Sequence, residues 1–365
     1  MIRGHGGNIH ALARTLGCPA EDIVDLSSNV NPFGPPPGLL SHLARQLEHI
    51  RALPEVEAGS AVAGFADFHG LPHDQVLAAN GTTQLIYDVP RALALQQALI
   101  VGPTYADYRD GCRRNGVPLA FWPAPAEDGF QPDLSAVADA ARDCDAVYIC
   151  NPNNPTGALV EGEALRAFSR QFPDKTLIVD ESYLPFVDDP ERHSLLVDRP
   201  DNVLVLHSMS KIFRVPGLRI GFAAGAAHLI KRLRHYALPW NVNAVALAAV
   251  QFLLRADPAL EDFVQRTRRQ LRAQREAMTG RLSAIHGVRC FASATGFFLV
   301  RLPDPHRSHA VCRQLARQKI LVRDCANFDG LSDRFIRISL QDGTRNAQCI
   351  RALEAILSDP PLGEP

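Results

Sequence analysis

Short apolar runs recur along the middle of the chain, at intervals that leave room for a helix between them. From about residue 75 to 240 they read "QALIVG", "VPLAFW", "DAVYIC", "TLIVDE", "NVLVLH" and "IGFAAG". Rich in branched and aromatic residues and poor in polar alternation, they predict strands buried on both faces. Between them the period changes. In "GEALRAFSRQF" the apolar Leu165 and Phe168 recur at helical spacing. Strand and helix in alternation predict an α/β fold, a large domain with a mostly parallel sheet covered by helices. Ligands of such sheets gather at the carboxyl ends of the strands, so the residues just after each run are where chemistry is expected.

After "PWNVNA" the texture changes. A long Ala/Leu/Arg pattern predicts one helix over about 244–286, followed by the strand candidates "GFFLVRL", "ILVRDC" and "FIRISL". This divides the chain into three parts. Residues 1–40, ending in "NPFGPPPG", form an arm packing on the smaller domain. Residues 41–243 form the large domain, and 244–365 the linking helix with a small α+β domain.

Composition narrows the function classes. The chain has 365 residues, 46% of them hydrophobic, enough for two cores. A net charge of -1 supplies no basic field for nucleic acid or an anionic membrane. The cluster "RTRRQLRAQR" reads as a solvated helix face. No leader pattern opens the sequence, and no apolar run is long enough to span a bilayer. The eight cysteines show neither CxxC nor Cys/His metal spacing. A cytoplasmic protein with packing thiols, no metal, and no nucleic-acid or membrane partner is expected.

The strand ends carry more. "HDQVLAAN" is followed by "GTTQLI", where Gly81, Thr82 and Thr83 open a helix. Free N–H groups and hydroxyls there suit a phosphate, although Thr82 serves equally as a plain N-cap. "DAVYIC" is followed by "NPNNPTG", a rigid polar turn containing Asn154. "TLIV" runs into "DESY", placing Asp180 at the end of a buried strand. An ionised carboxylate there needs a cation or strong donor, such as a protonated pyridine nitrogen; a helix N-cap is the alternative. "NVLVLH" leads into "SMSKIFRVPGLRIGF", with Ser208, Ser210, Lys211, Arg214 and Arg219 close together. A lysine whose amine is depressed by burial and neighbouring cations can condense with an aldehyde. A phosphate cradle, a pyridinium partner, a ring-oxygen donor and a reactive lysine together describe pyridoxal 5'-phosphate.

The set "NGTT", "NPNNPTG", "DESY" and "SMSKIFRVPGLRIGF" resembles the fold-type-I pyridoxal-phosphate enzymes of the aspartate aminotransferase class, over nearly the whole chain. The resemblance implies that Lys211 carries the cofactor covalently and that Asp180 pairs with its ring nitrogen. It implies that Asn154 and Tyr183 hold the phenolic oxygen, with Tyr105 stacked on the ring. Gly81, Thr82, Ser208 and Arg219 would bind the phosphate, with Thr83 and Ser210 beside them. Arg337, in "FIRISL", matches the arginine that grips the substrate α-carboxylate. Arg214 is divided between packing and the phosphate neighbourhood.

The opening "GHGGNIHALARTLG" with "DLSSNVNPFGPP" is similar to the threonine-phosphate decarboxylases; histidinol-phosphate aminotransferases share the other motifs but not this opening. It implies decarboxylation of O-phospho-L-threonine or a related phosphorylated amino acid, in cobalamin biosynthesis. An aminotransferase of the histidinol-phosphate type is the alternative, and a non-catalytic pyridoxal-phosphate binder a third class. His5, Gly6 and Gly7 would offer donors to a substrate phosphate, with Asn8 binding or orienting the loop. Asn31 would line the site, and Arg323 would meet the substrate's phosphate or carboxylate. One departure stands out. In "RALPEVEAG", Leu53 occupies the place where a tyrosine usually reaches the neighbouring subunit's cofactor phosphate. A homodimer is implied by the resemblance alone.

Overall fold

The strands of the middle region are apolar because almost no part of them reaches water. The structure, a computed structural model, describes residues 6–358. Strand β1 (Val24–Leu26) lies in the N-terminal segment. Seven more follow: β2 (Val76–Ala79), β3 (Ala98–Gly102), β4 (Leu119–Pro123), β5 (Ala146–Cys150), β6 (Thr176–Asp180), β7 (Val203–His207) and β8 (Gly221–Gly225). The last four are β9 (Arg289–Cys290), β10 (Phe297–Arg301), β11 (Ile320–Asp324) and β12 (Phe335–Ser339).

Strands β2 to β8 form one sheet in the order β2-β8-β7-β6-β5-β3-β4. Its β4-β3-β5-β6-β7 block is parallel, while β8 runs antiparallel to both β7 and β2. Every residue of β3, β5, β7 and β8 is buried, which removes any reason for polar alternation. Strand β4 is at the edge and is only partly covered. Two helices on this sheet, Gly81–Ala92 and Ala106–Arg114, meet at Gly111. A Cβ there would sit 2.8 Å from the Ile86 carbonyl oxygen, so the close approach requires glycine.

The second sheet has the order β1-β11-β12-β10-β9. Strand β1 joins it from the N-terminal segment, parallel to β11 with Val24 opposite Ile320. At three residues β1 is too short to announce itself as a periodic pattern. The single helix expected over 244–286 is two helices, Ala244–Leu253 and Pro258–Ser283. The break has a local cause. Pro258 has no N–H to continue the first helix, and Asp257 accepts from Ala259 N to cap the second. Among the described residues no helix is long and apolar enough to cross a membrane. All eight cysteines are free.

Gly111→Ala tests the helix contact. It should cost about 1–3 kcal/mol, as overpacking against a rigid carbonyl does, and lower the urea midpoint at unchanged slope. An unshifted midpoint would show that the two helices separate freely.

Candidate active site

The carboxyl ends of β5, β6 and β7 and the helix start at Gly81 open onto a cavity of about 430 Å³. Thr82, Thr83, Tyr105, Asn154, Asp180, Tyr183 and Lys211 line it from the large sheet's side. Arg323 and Arg337 line it from β11 and β12, and Gly6 and Gly7 from the N-terminal segment. Three remote parts of the chain thus share one hollow.

Lys211 follows β7 on a loop. Burial, with Arg219 nearby, lowers its ammonium from 10.5 to about 8; Asp180 opposes the shift and Arg337 adds to it. The uncharged amine, the form that attacks an aldehyde, is therefore far more populated near neutral pH than in an ordinary lysine. The carboxyl of Asp180 is pushed up by burial and held down by its donors. Ser182 N donates to Oδ1 at 2.9 Å and the Tyr108 hydroxyl to Oδ2 at 2.8 Å. Asp180 is not a helix N-cap: the next helical turn, Leu184–Phe186, has Tyr183 in the capping position with no side-chain cap bond.

The helix after β2 begins at Gly81, with Asn80 in the capping position and no side-chain cap bond. Thr82 therefore lies inside the first turn and is not the cap. Gly81 has φ +78°, and a Cβ on it would sit 2.5 Å from a guanidinium nitrogen of Arg219. Ser208 and Ser210 are buried at the end of β7, their hydroxyls 2.8 Å apart. Gly81, Ser208, Ser210 and Arg219 lie beside the cavity wall, not on it.

In "NPNNPTG" the asparagines divide their work. Asn151 exchanges hydrogen bonds with the Val160 backbone at 3.0 and 2.8 Å, and Asn153 donates to the Pro103 carbonyl and to Thr156. Asn154 is left facing the cavity, where its side-chain oxygen accepts from Arg337. Arg337 is buried, donates to the Ser27 carbonyl at 2.6 Å, and lies 5.4 Å over the Phe297 ring. Burial lowers its pKa. Arg323 stands opposite it in the β11–β12 register and donates to Asn327 at 2.8 Å.

Gly6 and Gly7 are glycines for space. A Cβ on Gly6 would meet the Ser27 carbonyl oxygen at 2.3 Å, and Gly7, at φ +82°, donates to the Ser27 hydroxyl at 2.7 Å. His5 lies outside the described residues. Asn8 accepts from Ala11 N as the N-cap of the helix Ile9–Leu16.

Asn31 does not line the cavity. It is fully buried, its backbone N–H donates to the Lys211 carbonyl at 3.0 Å and its amide to Ile212 O at 2.8 Å and Thr267 at 3.1 Å. It pins the lysine loop. Asn29, two residues earlier, faces the cavity and donates to the Tyr183 hydroxyl at 3.3 Å. Spacing cannot tell two asparagines of one parity apart. Arg214 resolves toward packing, donating to the Pro32 carbonyl at 2.5 Å. Tyr108 was also missed, although Tyr105 and Tyr108 stand three apart in "TYADY", the spacing that puts both on one helix face.

A model of the family described as aminotransferase class I and II matches residues 21–356. The chain belongs to this family. It is 30% identical to the threonine-phosphate decarboxylase of Salmonella typhimurium, over 97% of this chain and 96% of that one. It is likewise 30% identical to the histidinol-phosphate aminotransferase of Brevibacillus brevis, over 92% of this chain and 91% of that one. Against the adenosylcobalamin biosynthesis bifunctional protein CobDQ of Leptospira interrogans the identity is 28%, and the chain spans 41% of that protein's length. The crystal structure of L-threonine-O-3-phosphate decarboxylase from Porphyromonas gingivalis superposes with a TM-score of 0.81 at 29% identity, covering 92% of this chain and 99% of that one.

Family and site call for the same cofactor, pyridoxal 5'-phosphate. The fit rests on the donor set: a depressed lysine, a buried carboxylate that lines the cavity, and a glycine-floored helix start under Arg219. Apo-protein mixed with pyridoxal phosphate should develop the visible absorbance of a lysine-bound cofactor. Because the neutral amine reacts, the rate should rise with pH to half-maximum near 8, the value to which Lys211 is lowered. Lys211→Ala should abolish the band; its persistence would assign the anchor elsewhere.

Proposed function

We propose that this pyridoxal-phosphate enzyme is a carboxy-lyase that converts O-phospho-L-threonine, or a closely related phosphorylated amino acid, to (R)-1-amino-2-propanol O-2-phosphate and CO2, a step in cobalamin biosynthesis. One observation carries the reading. Arg323 and Arg337 face each other across β11 and β12, both line the cavity, and neither has an ion-pair partner among the described residues. Like charges directly opposite on a sheet repel, so the pair favours a ligand that brings negative charge at two points. A phosphorylated amino acid has a carboxylate and a phosphate. The relatives named for threonine-phosphate decarboxylation support this choice.

In this reading Lys211 supplies the amine that holds the cofactor and afterwards moves a proton at the substrate Cα. Asp180 keeps the ring nitrogen positive, while Asn154 and Tyr183 hold the ring oxygen. The bound cofactor supplies an electron-accepting ring for the bond broken at Cα. Arg337 and Arg323 would hold the two anionic groups of the substrate and so fix its orientation in the cavity. Gly6 and Gly7 close the substrate side, with Gly6 beside the Arg337 guanidinium.

Transamination remains the second reading, because the aminotransferase relative is as similar as the decarboxylase. Incubation with O-phosphothreonine should release CO2 without 2-oxoglutarate. Glutamate production that depends on an amino donor and 2-oxoglutarate, with no CO2, would replace the decarboxylase by an aminotransferase. Arg323→Ala and Arg337→Ala should each lower kcat/KM on the order of 10- to 100-fold, the loss of one charge-assisted contact.

A homodimer is part of the proposal. Leu47, Ile50, Leu53, Val56, Leu238 and Trp240 are between 45% and 74% exposed. Trp240 N donates to the Val56 carbonyl at 2.9 Å, which joins the two segments into one apolar surface. A contiguous exposed apolar surface of this kind supports the reading of an interface between subunits. Light scattering should give twice the 39.9 kDa chain mass. Leu53→Tyr should tighten cofactor binding roughly 10-fold, the gain of one hydrogen bond to a charged group, if that position meets the partner's phosphate. A monomer, or unchanged affinity, would remove that link.

A further inference from the structure

We infer that Arg109 and Asp329 are positioning residues for Arg323: their ion pair anchors the segment after β11 from which Asn327 and Phe328 hold the Arg323 guanidinium at the cavity. The inference rests on the reading of Arg323 as a residue that meets a substrate anion.

Among the described residues three arginines line the cavity, and their partners sort them. Arg323 and Arg337 donate to neutral oxygens, Arg323 to the Asp324 carbonyl and the Asn327 side chain, Arg337 to Asn154 and the Ser27 carbonyl. Their charge remains available to an anion. Arg109 donates instead to two carboxylates, Asp329 at 2.6 Å and Asp110 at 3.1 Å. An anionic substrate would have to displace one of them to reach it. Arg109 is therefore a post in the cavity wall and not a third anion site.

The pair joins two parts of the molecule that are remote in sequence. Arg109 lies on the helix Ala106–Arg114 of the large sheet, and Asp329 between β11 and β12 of the second. The residues flanking Asp329 are seated already. Phe328 is buried in a small apolar cluster with Ala124, Phe130, Phe291 and Phe335. Gly330, at φ +86°, lies against β4, where a Cβ would sit 3.3 Å from the Phe121 ring. This segment in turn holds Arg323. Asn327 accepts from its guanidinium at 2.8 Å, and the guanidinium lies 5.0 Å over the Phe328 ring. A long arginine side chain pays conformational entropy when an anion fixes it, and a side chain held in place beforehand pays less at binding. Losing the anchor should therefore weaken substrate binding and leave the chemical step nearly unchanged. The effect is modest in size, because the Arg109 side chain is 23% exposed and that of Asp329 51%, so solvent screens the pair.

The test uses Arg109→Gln, Asp329→Asn and the double variant in the cofactor-loaded protein, with two readouts. The first needs no substrate. Phenylglyoxal labels accessible guanidinium groups, and peptide mass spectrometry gives the rate at each arginine. In both single variants the rate at Arg323 should rise severalfold while the rate at Arg337 stays at the parental value. The second readout is turnover of O-phosphothreonine. Each single variant should raise KM roughly 3- to 5-fold, the worth of one partly exposed ion pair, with kcat nearly unchanged. The double variant should match the single ones, because both remove the same contact. In an Arg323→Ala background, Asp329→Asn should add no further loss. Parental labelling of Arg323 in the folded variants, equal acceleration at Arg323 and Arg337, or losses that multiply in the double variant would overturn the inference. Labelling that changes as expected in a protein that does not take O-phosphothreonine would support the positioning of Arg323 and overturn the substrate reading alone.

Discussion

A carboxylate taken out of water at the end of a strand has to be met by donors, and the placement of Asp180 organises the site around that need. Burial alone pushes its pKa up. Its two oxygens are met by the Ser182 backbone and by the Tyr108 phenol, and Lys211 adds a cation across the cavity. Each of these is delivered by a different segment, and the parallel sheet brings the segments to one edge. Lys211 depends on the same burial with the opposite sign, since an ammonium withdrawn from water gives up its proton more readily. Burial therefore shifts a base and an acid in complementary directions within one site.

The second sheet supplies the positive charge. Strands β11 and β12 place Arg323 and Arg337 in register, and β1 brings the N-terminal segment along the same sheet. Ser27 receives a hydrogen bond from Arg337 through its carbonyl and another from Gly7 through its hydroxyl. The serine hydroxyl in turn donates to Asp25 at 2.7 Å. The glycine pair is held over the arginine by a short chain of polar contacts. In the proposed reading, substrate recognition and catalysis draw on different sheets and meet in the cavity.

Much of the cofactor side was legible because its requirements are local. Asp180, Lys211, Asn154 and the Gly81 helix start follow directly on apolar runs, and a buried parallel strand leaves little freedom in where its last residue points. The substrate side was less legible. Asn29 and Asn31 differ only by two positions in an irregular segment, and which one faces the cavity depends on contacts to Thr267 and Tyr183, far away in sequence. The break between the helices Ala244–Leu253 and Pro258–Ser283 was written in "ADP", but the runs of helix-favouring Ala, Leu and Arg on either side mask it.

The sequence by itself determined the alternation of strand and helix, the chemical types at the strand ends and the family. These depend on short-range periodicity and on which side chains tolerate burial. Only the tertiary structure decided that Tyr108 meets Asp180, that Arg323 stands opposite Arg337, and that Asn31 braces the lysine loop. Those contacts join residues separated by up to 236 positions, as from Asn31 to Thr267. A pattern read along the chain carries periodicity but no distances across it, and a hydrogen bond exists only at a distance.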